Sequence, residues 1–467
     1  MVVPPGVAAG HPATVEVGIR VLQAGGSAAD AAVAAALAAC VSESILTGLG
    51  GGGFATHFDA STGEVTCLDF FCAAPGLDGD IKARPMKPIN VQFGEVFIPY
   101  GIGGASVAVP GVAAGCGEIH SRWGRLPWAE VVAPVVTLAA RGVPMSGAHA
   151  EILPWLVEAM LPDQGRSAYA PSDVLLQGGD LLFHPGLADA LAELAELGPQ
   201  VLYTGKLAEL MVDLVRGDGG ALGPADLAGY QMLEVPVRTA QLGEYTICGR
   251  QDLNQAISTI ASLPTDLSTM DREQSAIALA TALQRGSQTD GFGDTTNVTV
   301  VDRDGNACVI TTTLGMGAGL WLPGYGLHLN SMLGEEDLII GELAPGDRIG
   351  SMMCPMVALD ADGRLRMAVG SAGAARIRSA LMGTLIGTLI NGKDVPAAVS
   401  AARMHAVAEV VHLEPGYPPE IAETLRQAGF EVLQWGKKSH YFGGVSAIAT
   451  SGAAGDPRRD GAATLLT

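Results

Sequence analysis

The sequence predicts a layered α+β fold. Three observations carry that prediction. Strand-forming segments cluster in the last third of the chain, with helical segments on both flanks rather than alternating with single strands, which argues against a Rossmann sheet. The stretch 128–215 is dominated by apolar residues at helical spacing. Apolar residues make up 48% of the chain and charged residues 16%, so 467 residues supply the interior for two or three ordinary domains or one large fused core.

Taken in order, the chain opens with a short strand, a helix over 14–24, a Gly-Gly-Ser break and an Ala-rich helix over 28–41. THFDASTGEVTCLDFF alternates and turns at Ser-Thr-Gly, which predicts a strand pair. SVAVP, within 104–110, predicts a strand ahead of a helix over 112–122. LADALAELAELG, at 187–198, is an amphipathic helix by its spacing. Turn-rich sequence over 216–250 leads to the strand EYTICG. The stretch 251–293 is polar and poorly patterned, and QRGSQTDGFGD at its end reads as loop. The pattern then changes abruptly. TTNVTVVDRDGNACVITTTLG alternates, is rich in β-branched residues and turns at DRDGN, so it predicts a β-hairpin. MVALDADGRLRMAVGS predicts a second hairpin, followed by a helix over 375–390 and strands in VVHLEP and GFEVLQW.

Composition excludes some partners. A formal net charge of -21 repels nucleic acid and anionic membrane. Cys40, Cys67, Cys72, Cys116, Cys248, Cys308 and Cys354 are scattered without a CxxC pair, so they read as small buried hydrophobes and not as a disulfide or metal framework. MVVPPGVAAGHP has no basic region leading into an apolar one, and the apolar run at 28–41 is short and holds Asp30. A cytoplasmic protein without membrane contact, metal or cofactor is the expectation.

A hydroxyl nucleophile is weak unless a base lies within reach. When threonine heads a chain, its own α-amine serves, because that group titrates near ~7.7–8.0. Such a residue has to be made by a cut where a loop runs into a strand that begins with Thr. GFGD followed by TTNVTVVD has that form, with Asp294 before the junction and Thr295 after it. Alone, Thr-Thr at a strand start is also ordinary strand chemistry.

Five blocks in order resemble the gamma-glutamyltransferase family of N-terminal-nucleophile hydrolases. They are GHPATVEVGIRVLQAGGSAADAAVAAALAACVSESILTGLGGGGF, SVAVPGVAAGCGEIHSRWGRLPW, TTNVTVVDRDGNACVITTTLG, GLHLNSMLGEEDL with RIGSMMCPMVAL, and GSAGAARIRSAL. The resemblance implies an αββα four-layer sandwich made as one precursor. It implies a split into a large subunit, 1–294, and a small subunit, 295–467, joined as an αβ heterodimer open to higher assembly and acting on a small-molecule substrate. It makes Thr295 the nucleophile and Thr313 the threonine that hydrogen-bonds it, although Thr313 is equally a plain strand residue by pattern. It puts Gly373 and Ala374 at the oxyanion positions, where glycine also simply closes a tight turn. Gly51 and Gly52 fall in a loop that lies near the family's site.

The substrate-binding pattern departs from the family. Phe71 stands where an Arg normally holds the substrate carboxylate, so a bidentate guanidinium is lost there. Gly315 replaces an Asn, Met332 a Gln and Gly350 one of two paired serines, while Ser351 stays. Glu335 keeps the acid that takes the substrate ammonium, and GRQDLNQA replaces a Pro-Pro-Ser-Ser-Gly-Gly segment near 250. The expectation is a Thr hydrolase or acyltransferase with a non-standard substrate. The alternative is a carbon–carbon bond hydrolase recruited to antibiotic biosynthesis of alkylated proline units.

Overall fold

The computed structural model describes residues 2–79, 81–93, 96–285 and 293–467. Its centre is two antiparallel sheets. The first has seven strands in the order Ala462–Leu465, Gly6–Ala9, Thr296–Val301, Ala307–Thr313, Gly52–Phe58, Val65–Phe70 and Leu233–Val235. The second has six: Gly452–Gly455, Gly444–Ala449, Leu365–Ala372, Met356–Leu359, Tyr245–Gly249 and Arg238–Leu242. The hairpin predicted around DRDGN forms the middle of the first sheet, with Thr296 opposite Thr312 and Val301 opposite Ala307.

Three apolar layers separate four layers of structure. Val33 and Leu37 of the Ala-rich helix Ala28–Ser42 pack with Val298, Val300, Cys308 and Ile310 on the outer face of the first sheet. Phe58, Val301, Val309, Val357, Ala368 and Ile448 fill the space between the sheets. Met367 and Val369 meet Ala380 and Leu381 of the helix Arg376–Leu385 on the outer face of the second sheet. The alternation of Thr296–Val301 explains the split. Val298 and Val300 face the helix, whereas Val301 faces the other sheet, as does Thr299, whose hydroxyl donates to the Ser446 carbonyl at 2.9 Å. The Ala-rich helix is buried on every side, and its small residues let sheet and helices approach closely. Ser27 and Asp30 close its first turn as a capping box.

Some local expectations were corrected. SVAVP does not form a strand: 104–106 is a 3-10 turn, and the backbone of Ala108 is satisfied by the Asn330 side chain, which accepts from its N–H at 3.0 Å and donates to its carbonyl at 2.8 Å. Within the segment only Val109 pairs, in an isolated bridge to Ala73, so propensity did not extend into a ladder. The stretch 251–293 holds two helices, Ala256–Ala261 and Arg272–Gln284, the second begun by a capping box between Asp271 and Gln274. Of the segment read as loop at 284–294, residues 286–292 lie outside the described residues. A hairpin of Lys87–Phe93 and Val96–Ile102 was not anticipated. All seven cysteines are free and buried. Among the described residues, no helix is long and apolar enough to cross a membrane.

Candidate active site

The site forms where the strand Thr296–Val301 begins. The Thr296 hydroxyl donates to the Glu43 carboxylate at the end of the Ala-rich helix, and Glu43 also accepts from the Thr14 hydroxyl at 3.0 Å. Burial pushes the Glu43 carboxyl up to about 7. Residue 296 is thereby tied to the helix side, and Thr295 turns into the space between the sheets. There the Gly373 N–H donates to Thr295 Oγ1 at 2.9 Å.

The peptide before Thr295 is held from several directions. The Thr313 hydroxyl donates to the Asp294 backbone carbonyl, and the Gly315 N–H donates to Thr313 Oγ1 at 2.9 Å. Arg459 Nη1 donates to Asp294 Oδ1 at 2.5 Å and to the Thr295 carbonyl at 3.2 Å, while His440 Nε2 meets Asp294 Oδ2 at 2.5 Å. Burial by itself would raise the Asp294 carboxyl, but Arg459 and His440 outweigh it and hold it well below the usual carboxylate range. Burial, helped by the Arg459 charge, lowers His440. His440 Nε2 bonds Asp294 Oδ2, and its Nδ1 has no partner among the described residues. Gly51 and Gly52 pack behind the end of the Thr313 strand.

The turn opposite Thr295 is strained. Gly373 has φ +117°, and a Cβ there would come 2.7 Å from the Gly443 Cα, so only glycine fits. Ala374 has φ +48°, a left-handed conformation that costs an L-residue roughly 1–2 kcal/mol.

A small cavity of about 20 Å³ brings Thr295, Thr313, Asp294 and Ala374 together with Phe71, Glu335 and Ser351. Leu338, Met352, Met353 and Ile377 make the rest of its wall largely apolar. Gly373 reaches Thr295 through its N–H without lining the cavity. Gly315, Met332 and Gly350 lie behind the wall: a Cβ on Gly315 would meet Met332 Cε at 2.6 Å and the Tyr100 hydroxyl at 2.7 Å, and Gly350 packs against Leu253. Tyr100 thus fills the space an amide side chain at 315 would need. Its hydroxyl donates to Glu335 at 3.2 Å. Burial pushes the Glu335 carboxyl up to about 8, against the pull of that hydrogen bond, and Gly293 lies directly on its oxygens.

The guanidinium groups nearest Phe71 are engaged elsewhere. Arg250 sits 3.7 Å over the Phe54 ring and donates to the Met353 carbonyl at 2.8 Å. Arg348 donates to the Phe71 carbonyl at 3.1 Å and lies over Tyr230. Sequence reasoning missed Arg459, His440, Tyr100 and Glu43. Only the run DPRR around Arg459 offered a local signal.

Thr313→Val removes the donor on the Asp294 carbonyl while keeping shape. Loss of one such donor costs about 10²–10³ in rate where negative charge develops on the oxygen. Were the chain split at this junction, Thr313→Val should slow the splitting by that factor, followed as loss of the full-length band after expression.

Two stacked sheets, outer helices and a threonine at the head of a central strand are the α+β fold of the N-terminal-nucleophile hydrolases. The sequence matches the family model for gamma-glutamyltranspeptidase over residues 14–267 and 251–466. It is 30% identical to the Acylase ACY 1 proenzyme of Pseudomonas sp. (strain SE83), over 95% of this chain and 89% of that one. It is 26% identical to the glutathione hydrolase proenzyme of Bacillus subtilis, over 91% and 84% of the two chains. The crystal structure of cephalosporin acylase from Bacillus halodurans superposes with a TM-score of 0.82 at 20% identity, covering 100% of this chain and 97% of that one. The chain belongs to the gamma-glutamyltranspeptidase family. It is an enzyme of that hydrolase and transpeptidase group, whose members are made as proenzymes and use a threonine nucleophile.

Proposed function

We propose that the chain cuts itself between Asp294 and Thr295 into an interlocked pair, 1–294 and 295–467, and that Thr295 then attacks the carbonyl of a small amine-bearing substrate. The observation that carries this reading is the junction itself: the Asp294 carbonyl is polarised by the Thr313 hydroxyl, and the Thr295 oxygen lies on the Gly373 N–H. In the first step Thr295 Oγ bonds to the Asp294 carbonyl carbon, and the hydroxyl proton ends on the departing Thr295 nitrogen. Water then hydrolyses the ester, leaving an Asp294 carboxylate and a free Thr295 amine. In turnover that amine takes the hydroxyl proton, the hydroxyl oxygen bonds to the substrate carbonyl, and the N–H groups of Gly373 and Ala374 face the oxyanion. The leaving amine receives the proton, and water or an acceptor amine resolves the acyl-enzyme.

The pocket supports an acyl group with one amine and an apolar body: Glu335 is its acid, and Phe71, Met352 and Ile377 are its apolar surface. The acylase name of the Pseudomonas relative favours amide cleavage. A second reading, carbon–carbon hydrolysis of a ketone in the making of alkylated proline units, uses the same attack with a carbanion leaving. It is favoured by the apolar wall and by the guanidinium groups of Arg250 and Arg348 being taken up by the backbone carbonyls of Met353 and Phe71 behind that wall.

A panel of prolyl p-nitroanilide, γ-glutamyl p-nitroanilide and an amine-bearing β-diketone tests this. The γ-glutamyl compound is expected to bind tenfold to a few hundredfold more weakly than the prolyl one. That range corresponds to losing a charged hydrogen bond of about 1.5–3 kcal/mol. Cleavage of the diketone alone moves the assignment to the second reading, and efficient use of the γ-glutamyl anilide overturns the pocket's role. The pH dependence has a definite sign. With its carboxyl at about 8, Glu335 is mostly protonated at pH 6 and must lose a proton to pair with an ammonium. KM for the amine-bearing substrate should fall roughly tenfold per pH unit towards 8 and then level off. Glu335→Gln should flatten that slope, and a flat wild-type profile would remove Glu335 from binding.

A further inference from the structure

We infer that Asn254 is a positioning residue for the oxyanion turn, its side-chain amide clamping the carbonyls of Ala374 and Ala375 so that the Gly373 N–H stays aimed at Thr295. The inference rests on the reading of Thr295 as nucleophile and Gly373 as oxyanion donor.

Asn254 is buried, and its Nδ2 donates to both carbonyls at 3.3 Å. Its own backbone is fixed from two sides. The Asp252 carboxylate accepts from the Asn254 N–H at 3.0 Å and from the Ala256 N–H at 2.8 Å, and Arg378 Nη1 donates to the Asn254 carbonyl at 3.0 Å. The next residue, Gln255, has φ +54°, so the loop is itself held in an unfavourable shape to present this side chain. The segment also reaches the pocket wall, since the Leu253 N–H donates to the Ser351 carbonyl at 2.9 Å.

The residue it serves is the one that needs support. Ala374 carries a methyl group at φ +48°. A left-handed alanine relaxes by rotating its flanking peptides, which would swing the Ala374 carbonyl off Asn254 and shift the turn that carries the Gly373 N–H, the group on Thr295 Oγ1. The clamp blocks that rotation. Glycine at 374 would hold the same turn without strain, so the need for Asn254 should depend on the residue at 374.

The test is release of p-nitrophenolate from p-nitrophenyl acetate, with rates normalised to cleaved chain. Asn254→Ala should lower the acylation rate at saturating ester about tenfold, less than loss of a whole oxyanion donor, with KM within about twofold. In an Ala374→Gly background the same change should cost less than about threefold relative to that background. An equal loss in both backgrounds, an unchanged rate, or an effect on KM alone overturns the proposal. If Asn254→Ala yields no cleaved protein, the double variant with Ala374→Gly decides: cleavage restored supports the clamp, and cleavage still absent overturns it. Thr295→Ala, with its rate taken per total protein because it is expected to stay uncleaved, is the control for the underlying reading. If it releases p-nitrophenolate as fast as wild type, the nucleophile assignment is wrong and the clamp falls with it. Thr295-dependent release that is indifferent to Asn254 sinks the clamp alone.

Discussion

On the proposed mechanism, Thr295→Ala should leave the protein as a single chain of 467 residues and without turnover. The neighbouring hydroxyl cannot stand in, because Thr296 points to the opposite face of the sheet and gives its proton to Glu43. Thr313 cannot either, since its hydroxyl is already spent on the Asp294 carbonyl. Removing a nucleophile typically lowers the rate by on the order of 10⁴ or more, so both maturation and release of p-nitroaniline should drop below detection. Thr295→Ser keeps hydroxyl and amine, and it should still split and turn over at a reduced rate. A Thr295→Ala chain that divides at this junction would place the nucleophile elsewhere.

Arg459→Met should come second in size. Arg459 and Asp294 are both buried, and Arg459 also holds the Thr295 carbonyl, so one change strips two anchors from the peptide to be cut. Removing one partner of a buried ion pair costs about 3–5 kcal/mol, because the remaining charge is left without compensation. The expected outcome is a largely uncleaved chain with a lower thermal midpoint. Arg459→Lys, with charge but no fork, should fall between the two. The sign with pH follows from the depressed Asp294 carboxyl. Its contribution to stability is present above the unfolded value of about 3.9 and is lost as pH falls through the lower folded value. Wild type should therefore keep this contribution at pH 4, whereas Arg459→Met should retain only the part His440 supplies. Normal cleavage in Arg459→Met would make the ion pair incidental.

Much of the central hairpin could be read from residues alone. TTNVTVVDRDGNACVITTTLG combines alternation, β-branched residues and a turn, and those local signals agree with the register that forms. SVAVP had propensity but pairs only through the single Val109–Ala73 bridge, and the Asn330 side chain took the hydrogen bonds of Ala108. The helix Arg272–Gln284 was hidden by its polar surface, although its capping box and the buried positions Ala276, Ala280 and Leu283 were there to find. At the site, Thr295, Thr313 and Glu335 lie within recognisable blocks. Arg459 and His440 act on Asp294 from about 150 residues further along the chain, and no periodicity or spacing reports such a meeting. Tyr100 likewise reaches Glu335 only because Gly315 leaves it room.

Intact-mass measurement with N-terminal sequencing of the purified protein tests the central claim most directly. Two polypeptides that co-purify and separate only on denaturation are predicted, one ending at Asp294 and the other beginning Thr-Thr-Asn-Val at Thr295. A fully active protein that remains one polypeptide, or one whose second chain begins at any other residue, would contradict it.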